Sequence, residues 1–375
     1  MRRIGVFGGT FNPVHNAHIT IAERALSELS LDFVIMMTGG NPPHKKGRPI
    51  LDAKLRHIML KMAIKGHKNL IACDYEVKRQ KYSYTVNTLR FLKRIYPDDE
   101  LYFIMGGDSI DYFDEWYQPE EIAKMAKLVV YSRGKSHKTD IMRKKFNADI
   151  IGLSGENIDI SSTEIRNDSN ALSESLPECV AEFIEKYKMY QDLSEKDTLK
   201  NMLDESRLRH SIGVSKLAGK LAERYGIDKE NAIRCGLLHD VANCIPYQEA
   251  IVMCDELEAE LDPLERHMPP LVHAKLGAEL VKCFFGITEG EITSAIRAHT
   301  IGSMGMSLFD KIIFVADMCE EGSTLPGVDA IREIAFRDID RAVVMCIDLS
   351  ISYNNKIGKI VHPMAYTVKA ALLAK

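Results

Sequence analysis

The sequence predicts two folded parts, a Rossmann-like, doubly wound α/β domain followed by an all-α domain. Short apolar runs alternate with helical patterns over residues 1–185, which is typical of a parallel sheet covered by helices on both faces. From about residue 200 the strand-like runs thin out and long helical periods take over. The length of 375 residues also fits about two domains of ordinary size.

The candidate strands of the first part are continuous apolar runs separated by amphipathic segments. The strands are predicted at 3–7, 33–37, 69–75, 100–105, 127–132 and 148–153, and the clearest helices at 16–29, 51–65 and 84–95. In open parallel sheets ligands bind at the carboxyl ends of the strands, near the point where the strand order reverses. We therefore expect functional motifs directly after strands.

The second part shows helical periodicity. Residues 207–226 place Ile212, Leu217 and Leu221 at helical spacing and end at Gly226, a typical helix stop. The polar segment 188–201 is the predicted boundary, which gives domains at 1–190 and 196–375.

Composition excludes several classes of protein. The chain is 46% hydrophobic and 27% charged, with 49 basic and 53 acidic residues and a net charge of −4. This is ordinary for a globular protein and argues against disorder and against a basic surface over the whole chain, while a local basic patch for nucleic acid stays open. No uncharged stretch approaches the ~20 apolar residues that a membrane helix needs. The eight cysteines form no CxxC pair, which argues against a disulfide framework or a cysteine zinc site. We expect a cytoplasmic protein with no membrane or nucleic-acid partner, and the sequence leaves open whether it forms a homo-oligomer.

The densest motif lies where the first strand meets the first helix. It reads GVFGGTFNPVHNAH over residues 5–18. Glycines allow a phosphate to approach the backbone, and a helix N-terminus offers free N–H groups and the positive end of its dipole. His15 and His18 are three residues apart and would share one side of the helix start, where imidazoles can stabilise charge on a reacting phosphorus. A purely structural pair and a metal site are the alternatives.

A second candidate motif is DIIGLSGENIDISSTEIR at 149–166. Ser161 and Glu164 have the spacing of a capping box. Together with Ser162, Thr163 and Arg166, this helix start would present hydroxyls and a guanidinium suited to a triphosphate. A capped helix without a ligand is the alternative.

Together these motifs resemble the nucleotidylyltransferase superfamily, and within it the nicotinate-nucleotide adenylyltransferases, over residues 1–190. The matching stretches, in order, are GGTFNPVHNAH, PPHK (42–45), SYTVNTL (83–89), GGDSIDYFDEW (106–116), YSR (131–133) and ISSTEIR (160–166). Asn12, Ala17 and Asn87 depart from the commoner Asp, Gly and Asp of the family pattern. None of these departures removes a catalytic group.

The resemblance implies transfer of AMP from ATP, accompanied by Mg²⁺, to nicotinate mononucleotide, giving deamido-NAD and pyrophosphate. His15 and His18 would be the catalytic residues. Thr85 and Trp116 would bind nicotinate mononucleotide, with Trp116 stacking on the pyridine ring; a core tryptophan is the alternative. ATP would be bound by Gly8, Gly9, Thr10, Lys45, Asp108, Arg133, Ser161, Ser162, Thr163 and Arg166.

The second part carries histidines and aspartates that could converge on metal ions. They are His210, His239, Asp240, His273, His299 and Asp317. Residues so far apart in sequence meet only if several helices pack around one point, which is how helical bundles build metal sites. For each residue alone, a capping or core role is the alternative.

These stretches resemble the HD-domain phosphohydrolases, in particular the bacterial symmetrical diadenosine-tetraphosphate hydrolases, over about 200–375. The resemblance implies a helical HD-domain bundle in which His210, His239, Asp240 and Asp317 bind one metal and His273 and His299 a second, with Asp240 bridging. The resemblance implies iron as the metal, although imidazole and carboxylate ligands leave manganese, zinc and others open. The substrate would be diadenosine tetraphosphate, cleaved to two ADP. The segment CEEGSTLPG (319–327) lacks the arginine usual after the last aspartate. Another nucleotide substrate, an alarmone included, and a non-catalytic nucleotide sensor are the alternatives.

Overall fold

A computed structural model describes residues 1–40, 50–79, 82–131, 138–154, 162–167 and 175–374. The chain divides into two compact units, Met1–Tyr190 and Gln191–Lys375.

The first unit is built on a six-stranded parallel sheet, which confirms the predicted α/β class. The strand order is β3-β2-β1-β4-β5-β6. The strands are β1 (Arg3–Gly9), β2 (Phe33–Thr38), β3 (Leu70–Cys73), β4 (Glu100–Gly106), β5 (Ala126–Tyr131) and β6 (Ile150–Gly152). All six lie within or beside the apolar runs from which they were predicted.

Helices connect these strands and bury the sheet. They are α1 (Asn16–Glu28), α2 (Ala53–Ala63), α3 (Thr85–Ile95), α4 (Gly107–Asp111), α5 (Pro119–Met125), α6 (Thr139–Phe146), α7 (Ser162–Asn167) and α8 (Glu178–Lys186), with a 3₁₀ turn at Phe113–Glu115. The central strand β1 is inaccessible to water at Ile4 and Val6. Its continuous apolar composition follows from this burial, because a strand covered on both faces has no solvent side.

The strand order reverses beside β1. This strand pairs with β2 on one side and with β4 on the other, and both pairs are parallel. The chain therefore passes from β1 to β2 and β3 on one side, and then crosses to β4 on the other side of β1. Such a reversal of strand order leaves a crevice at the carboxyl ends of the two strands, here at Gly9 of β1 and Gly106 of β4.

The second unit is helical throughout its described residues, as predicted. The helices are α9 (Glu195–Met202), α10 (Glu205–Tyr225), α11 (Lys229–Leu238), α12 (Tyr247–Leu257), α13 (Pro263–Arg266), α14 (Pro269–Phe285), α15 (Gly290–Ala298), α16 (Leu308–Cys319), α17 (Val328–Ala335), α18 (Ile339–Lys356) and α19 (Pro363–Leu373). Helix α10 starts at Asp204, whose carboxylate accepts the Arg207 backbone N–H at 2.8 Å, and ends at Gly226 with φ of 67°. These are ordinary start and stop signals for a helix.

No helix in the described part of the chain is long and apolar enough to cross a bilayer.

Candidate active sites

The turn between β1 and α1 holds His15 and His18 against each other. His15 is the N-cap of α1, and the two imidazole rings stack with centroids 3.7 Å apart. The His18 ring also meets the edge of the Phe11 ring, with centroids 4.9 Å apart. Both imidazoles therefore lie at the positive end of the helix dipole, beside the glycine turn.

The two histidines differ in their surroundings. His15 is 5% exposed, and burial lowers its pKa to about 4, so this imidazole is neutral near pH 7. Its Nδ1 is buried without a hydrogen-bond partner among the described residues. His18 Nδ1 accepts the His15 backbone N–H at 3.2 Å. A neutral imidazole that accepts at Nδ1 carries its proton on Nε2, which is the donor that a phosphate oxygen needs.

Helix α7 is joined to the same turn. The Ser162 hydroxyl donates to the Pro13 carbonyl at 3.1 Å, and Arg166 Nη1 donates to the Asn12 carbonyl at 2.6 Å. The second predicted motif therefore meets the first, although about 150 residues separate them. The predicted phosphate ligands Lys45, Arg133 and Ser161 lie outside the described residues.

Arg56 is a structural residue of this site that the sequence analysis missed. Its side chain is almost fully buried, and it donates to the carbonyls of Thr10, Gly39, Gly40 and Leu51. Burial lowers its pKa to about 10, so the guanidinium stays charged. The Arg56 guanidinium holds the glycine turn against the end of β2. Nothing in the local pattern of α2 distinguishes it from a surface arginine.

A cavity of about 930 Å³ opens at the carboxyl end of β4. The predicted ligands Thr85, Asp108 and Trp116 all line it. Trp116 packs against Phe103 and Phe113, with ring centroids 6.0 and 5.6 Å away, and still presents surface to the cavity. The indole is therefore held in place by the core while part of it is available to stack on a ligand ring.

In the second unit the structure brings all six predicted residues into one cluster. His210 comes from α10, His273 from α14 and Asp317 from α16. His239 and His299 are the C-caps of α11 and α15, and Asp240 follows His239. Helix α11 ends at Leu238, directly before His239, and His273 lies more than one turn into α14.

Asp240 lies at the centre of this cluster. Its Oδ2 is 3.5 Å from His239 Nε2 and 3.9 Å from His210 Nε2. Its Oδ1 is 3.1 Å from His273 Nε2 and 3.8 Å from His299 Nε2. Asp317 Oδ1 completes the first group, at 3.0 Å from His210 Nε2 and 3.3 Å from His239 Nε2. The two oxygens of one carboxylate therefore face two separate sets of imidazoles.

Backbone carbonyls orient two of these imidazoles. The Nδ1 of His239 is 2.8 Å from the Gly236 carbonyl, and the Nδ1 of His299 is 2.7 Å from the Ile296 carbonyl. A carbonyl only accepts, so each Nδ1 carries a proton, and in the neutral ring Nε2 presents a lone pair to the cluster. Gly236 is required here, because a Cβ would lie 2.8 Å from the Ser215 Cα on the neighbouring α10.

The charges of the cluster favour ionised carboxylates. Burial alone would raise the pKa of Asp240, but the facing histidines outweigh burial and hold this pKa well below the usual range. For Asp317 as well, the neighbouring histidines outweigh burial and lower the pKa. Burial also opposes protonation of His239, but Asp240 and Asp317 outweigh it and raise its pKa to about 9. Burial and the neighbouring His273 lower the pKa of His299 to about 4.

These side chains fit metal ions. His239 Nε2 is buried in the cluster beside the carboxylates of Asp240 and Asp317, but forms no well-aligned hydrogen bond with the described residues. Two groups have ligand atoms close enough to share an ion, His210–His239–Asp317 and His239–Asp240–His299. Imidazole and carboxylate donors suit iron, manganese or zinc.

A cavity of about 400 Å³ opens onto this cluster. Arg207 lines it and donates from Nη1 to Asp240 Oδ2 at 3.1 Å. Asn243 also lines it and donates to Asp240 Oδ1 at 3.1 Å. Sequence analysis missed both residues, although Arg207 lies one helical turn before His210. In CEEGSTLPG, where the expected arginine is lacking, Glu320 is buried with its Oε1 3.5 Å from His210 Nδ1.

The fold and the two sites define a chain that joins a nucleotidylyltransferase-type α/β domain to an HD domain. Comparison with known families supports this division into two domain types. The cytidylyltransferase-like family matches residues 6–168, and the HD domain family matches residues 207–322.

Individual proteins and one solved structure are similar to one or both halves of the chain. A probable nicotinate-nucleotide adenylyltransferase of Clostridium perfringens is 41% identical over 200 residues, which cover 51% of this chain and 99% of the relative. A Mycoplasma genitalium protein named as a probable nicotinate-nucleotide adenylyltransferase/Ap4A hydrolase is 28% identical over 320 residues, 85% of this chain and 87% of that one. A crystal structure of a predicted HD superfamily hydrolase involved in NAD metabolism, from Clostridium acetobutylicum, is 35% identical, with a TM-score of 0.46, over 48% of this chain and 95% of that one. The chain belongs to the nicotinate-nucleotide adenylyltransferase family through its first half and carries an HD domain in its second.

Proposed function

We propose that the first unit transfers AMP from ATP to nicotinate mononucleotide. An oxygen of the mononucleotide phosphate attacks the α-phosphorus of ATP in line, a new P–O bond forms, and pyrophosphate leaves. Deamido-NAD is the other product. The observation that carries this proposal is the cavity lined by Thr85, Asp108 and Trp116 in a domain whose glycine turn presents His15 and His18.

The chain's own groups act by position and charge in this reaction. His18 donates from Nε2 to an oxygen of the reacting phosphates, and the free N–H groups at the start of α1 stabilise the charge that builds there. Neutral His15 supports the His18 ring by stacking. Trp116 stacks on the pyridine ring, and Ser162 and Thr163 bind the triphosphate that arrives with Mg²⁺. No protein nucleophile is required, because both reactants are held in line.

The test is the product formed by the full chain from ATP, Mg²⁺ and nicotinate mononucleotide. We expect deamido-NAD and pyrophosphate in equal amounts. The amide form of the mononucleotide, offered at the same concentration, measures the preference for the carboxylate. Absence of any dinucleotide with either substrate would contradict the proposal.

We propose that the second unit hydrolyses a nucleotide phosphoanhydride, with diadenosine tetraphosphate, cleaved to two ADP, as its substrate. Two ions, iron in our proposal, would be held by His210, His239, Asp240 and Asp317 on one side and by His273 and His299 on the other. When bound, such ions activate water and neutralise phosphate charge. The supporting observation is the central position of Asp240, with one oxygen toward each set of imidazoles.

Two neighbouring residues would assist this hydrolysis. Arg207 lines the cavity beside Asp240 and would contact a phosphate there, in place of the arginine that CEEGSTLPG lacks. Asn243 donates to the same aspartate and keeps its carboxylate oriented.

The test uses the full chain, loaded with iron without oxygen and supplied with diadenosine tetraphosphate. ADP as the only product supports symmetrical hydrolysis. Turnover of a guanosine alarmone alone would move the substrate to another nucleotide. Nucleotide binding without turnover of any nucleotide, with iron bound in the cluster, would favour the sensor alternative and contradict the proposal.

A further inference from the structure

A second cavity of the helical unit, of about 570 Å³, lies next to the one that opens onto the metal cluster. The start of α14, the turn after α15, the end of α18 and the start of α19 surround it. It shares Pro269, Pro270 and Thr300 with the cluster cavity. The two cavities are therefore neighbours that meet at a common wall.

We propose that this second cavity binds one nucleoside of a dinucleoside polyphosphate while the other nucleoside occupies the cluster cavity. This inference rests on the proposed function of the HD unit and specifies its substrate class. A substrate cleaved in the middle of its phosphate chain extends away from the cleaved bond in two directions. It therefore needs a place for each nucleoside.

The position of the shared wall supports this assignment. Thr300 follows the cluster residue His299 in the chain, and Pro270 precedes His273 by three residues on α14. The second cavity therefore begins beside the His273 and His299 side of the cluster. A phosphate chain held at Asp240 can reach it past Thr300.

The lining of the cavity suits a purine nucleoside. Leu271, Phe314 and Ile347 provide an apolar wall for the face of the base. The amide nitrogen of Asn354 donates to the Ser350 carbonyl at 2.9 Å. Its Oδ1 is therefore directed away from that bond and can accept from an exocyclic amino group such as that of adenine.

The charge at the rim suits a polyphosphate. Lys359 lines the cavity and is exposed, and its ammonium group makes no hydrogen bond or ion pair to another described residue. An ammonium group there attracts the phosphate chain that would join the two nucleosides. A lysine without a carboxylate partner beside an apolar cavity is thus complementary to an anionic ligand with an aromatic base.

The test compares a substrate with two nucleosides and a substrate with one. Ser350→Trp fills the proposed subsite, and Ser352→Trp makes the same change on an exposed part of α18 that does not line the cavity. The iron-loaded full chain is assayed with diadenosine tetraphosphate and with adenosine 5′-tetraphosphate. Ser350→Trp should prevent one base from stacking in the subsite. We therefore expect it to lower the ratio of kcat/KM for diadenosine tetraphosphate to kcat/KM for adenosine 5′-tetraphosphate by about tenfold or more. Ser352→Trp should leave this ratio unchanged.

A second pair of variants with smaller changes tests the subsite if Ser350→Trp does not fold. Asn354→Leu removes the amide oxygen from the cavity, and Asn355→Leu is its exposed neighbour outside it. We expect Asn354→Leu to lower the same ratio and Asn355→Leu to leave it unchanged. A correctly folded Ser350→Trp and Asn354→Leu that both keep the parent ratio would overturn the subsite.

A binding measurement separates this inference from the hydrolysis itself. With iron removed by chelation, diadenosine tetraphosphate should slow amide hydrogen exchange in residues 347–362 of the parent and of Ser352→Trp, but not of Ser350→Trp. If the parent shows this protection but never hydrolyses the compound, the proposed reaction is wrong and the subsite is supported. If the parent hydrolyses the compound but shows no protection there, the subsite is wrong and the reaction is supported.

Discussion

The Nε2 atoms of His273 and His299 face each other at 3.0 Å. His299 carries its proton on Nδ1, which is 2.7 Å from the Ile296 carbonyl, so its Nε2 offers a lone pair. Two protonated rings could not stay so close without repulsion. The pair, with Asp240 Oδ1 beside it, is therefore arranged to share either one proton or one metal ion.

Replacing Asp240 by Ala should remove the bound metal and the hydrolytic activity together. Its two oxygens face both sets of imidazoles, so each proposed ion loses the carboxylate ligand that the two ions share. We expect phosphoanhydride hydrolysis to fall at least about a hundredfold and iron per chain, measured by elemental analysis, to fall to background. Asp329→Ala is the matched control, since that side chain is 95% exposed. Full iron content in Asp240→Ala would contradict the ligand assignment.

Replacing His18 by Ala should abolish most adenylyl transfer. The imidazole is a proposed donor to the reacting phosphates, and loss of one such donor costs about 10²–10³ in rate. The same sample should keep its phosphoanhydride hydrolysis, which serves as an internal check on folding. His67→Ala removes an exposed histidine paired with Glu23 in the same unit and should have little effect. Near-normal transfer by His18→Ala would refute the role of His18.

Replacing Arg56 by Met should destabilise the first unit by at least about 3 kcal/mol. The carbonyls of Thr10, Gly39, Gly40 and Leu51 lose their donor, and each lost buried hydrogen bond costs about 1 kcal/mol. Trp116 is the only tryptophan of the chain, so its fluorescence in a urea titration reports on this unit alone. Arg94→Met, at an exposed position of α3, is the control. Equal losses in the two variants would contradict the role given to Arg56.

Nicotinate mononucleotide should quench the fluorescence of Trp116, because the electron-poor pyridinium ring stacked on the indole accepts an electron from its excited state. Trp116→Ala should raise KM for nicotinate mononucleotide about tenfold or more, as expected for loss of one stacked ring. KM for ATP should change little. Trp116→Phe retains an aromatic face and should recover most of the affinity. A ligand that leaves the fluorescence unaltered would place the pyridine elsewhere.

Acid should destabilise the first unit through His15. Its folded-state pKa is about 4, against an ordinary value of 6.5, so the unfolded chain binds more protons between these values. Above about pH 6.5, His15 is neutral in both the folded and the unfolded chain, and the free energy of unfolding is at its full value. As the pH falls from there toward 4, protonation of His15 in the unfolded chain lowers the free energy of unfolding. Between pH 7.5 and 5.5 the loss should be about 1 kcal/mol. His15→Asn should remove this part of the pH dependence, measured by Trp116 fluorescence in urea. An identical pH dependence in parent and variant would show that His15 is not the group responsible.

The predictions made from sequence were most successful where a pattern is local. The apolar run at 33–37 became β2 at Phe33–Thr38, and the amphipathic run at 84–95 became α3 at Thr85–Ile95. They were less accurate at helix ends, as with the run at 51–65, of which only Ala53–Ala63 forms α2. Caps depend on which carbonyl or carboxylate lies within reach, and a neighbouring element often decides that.

The sequence by itself determined the parallel sheet, the helical second unit and the placement of candidate residues after β1 and on particular helices. Periodicity, glycines and capping residues act within a few positions, so they can be identified without a fold. Only the tertiary structure decided that Asp240 faces both sets of imidazoles, that Arg56 is buried beneath the glycine turn, and that a second cavity adjoins the first at Thr300. Features of this kind depend on contacts between segments far apart in the chain, such as His210 and Asp317, which are 107 residues apart. Such contacts follow from how whole helices and strands pack, which local patterns do not encode.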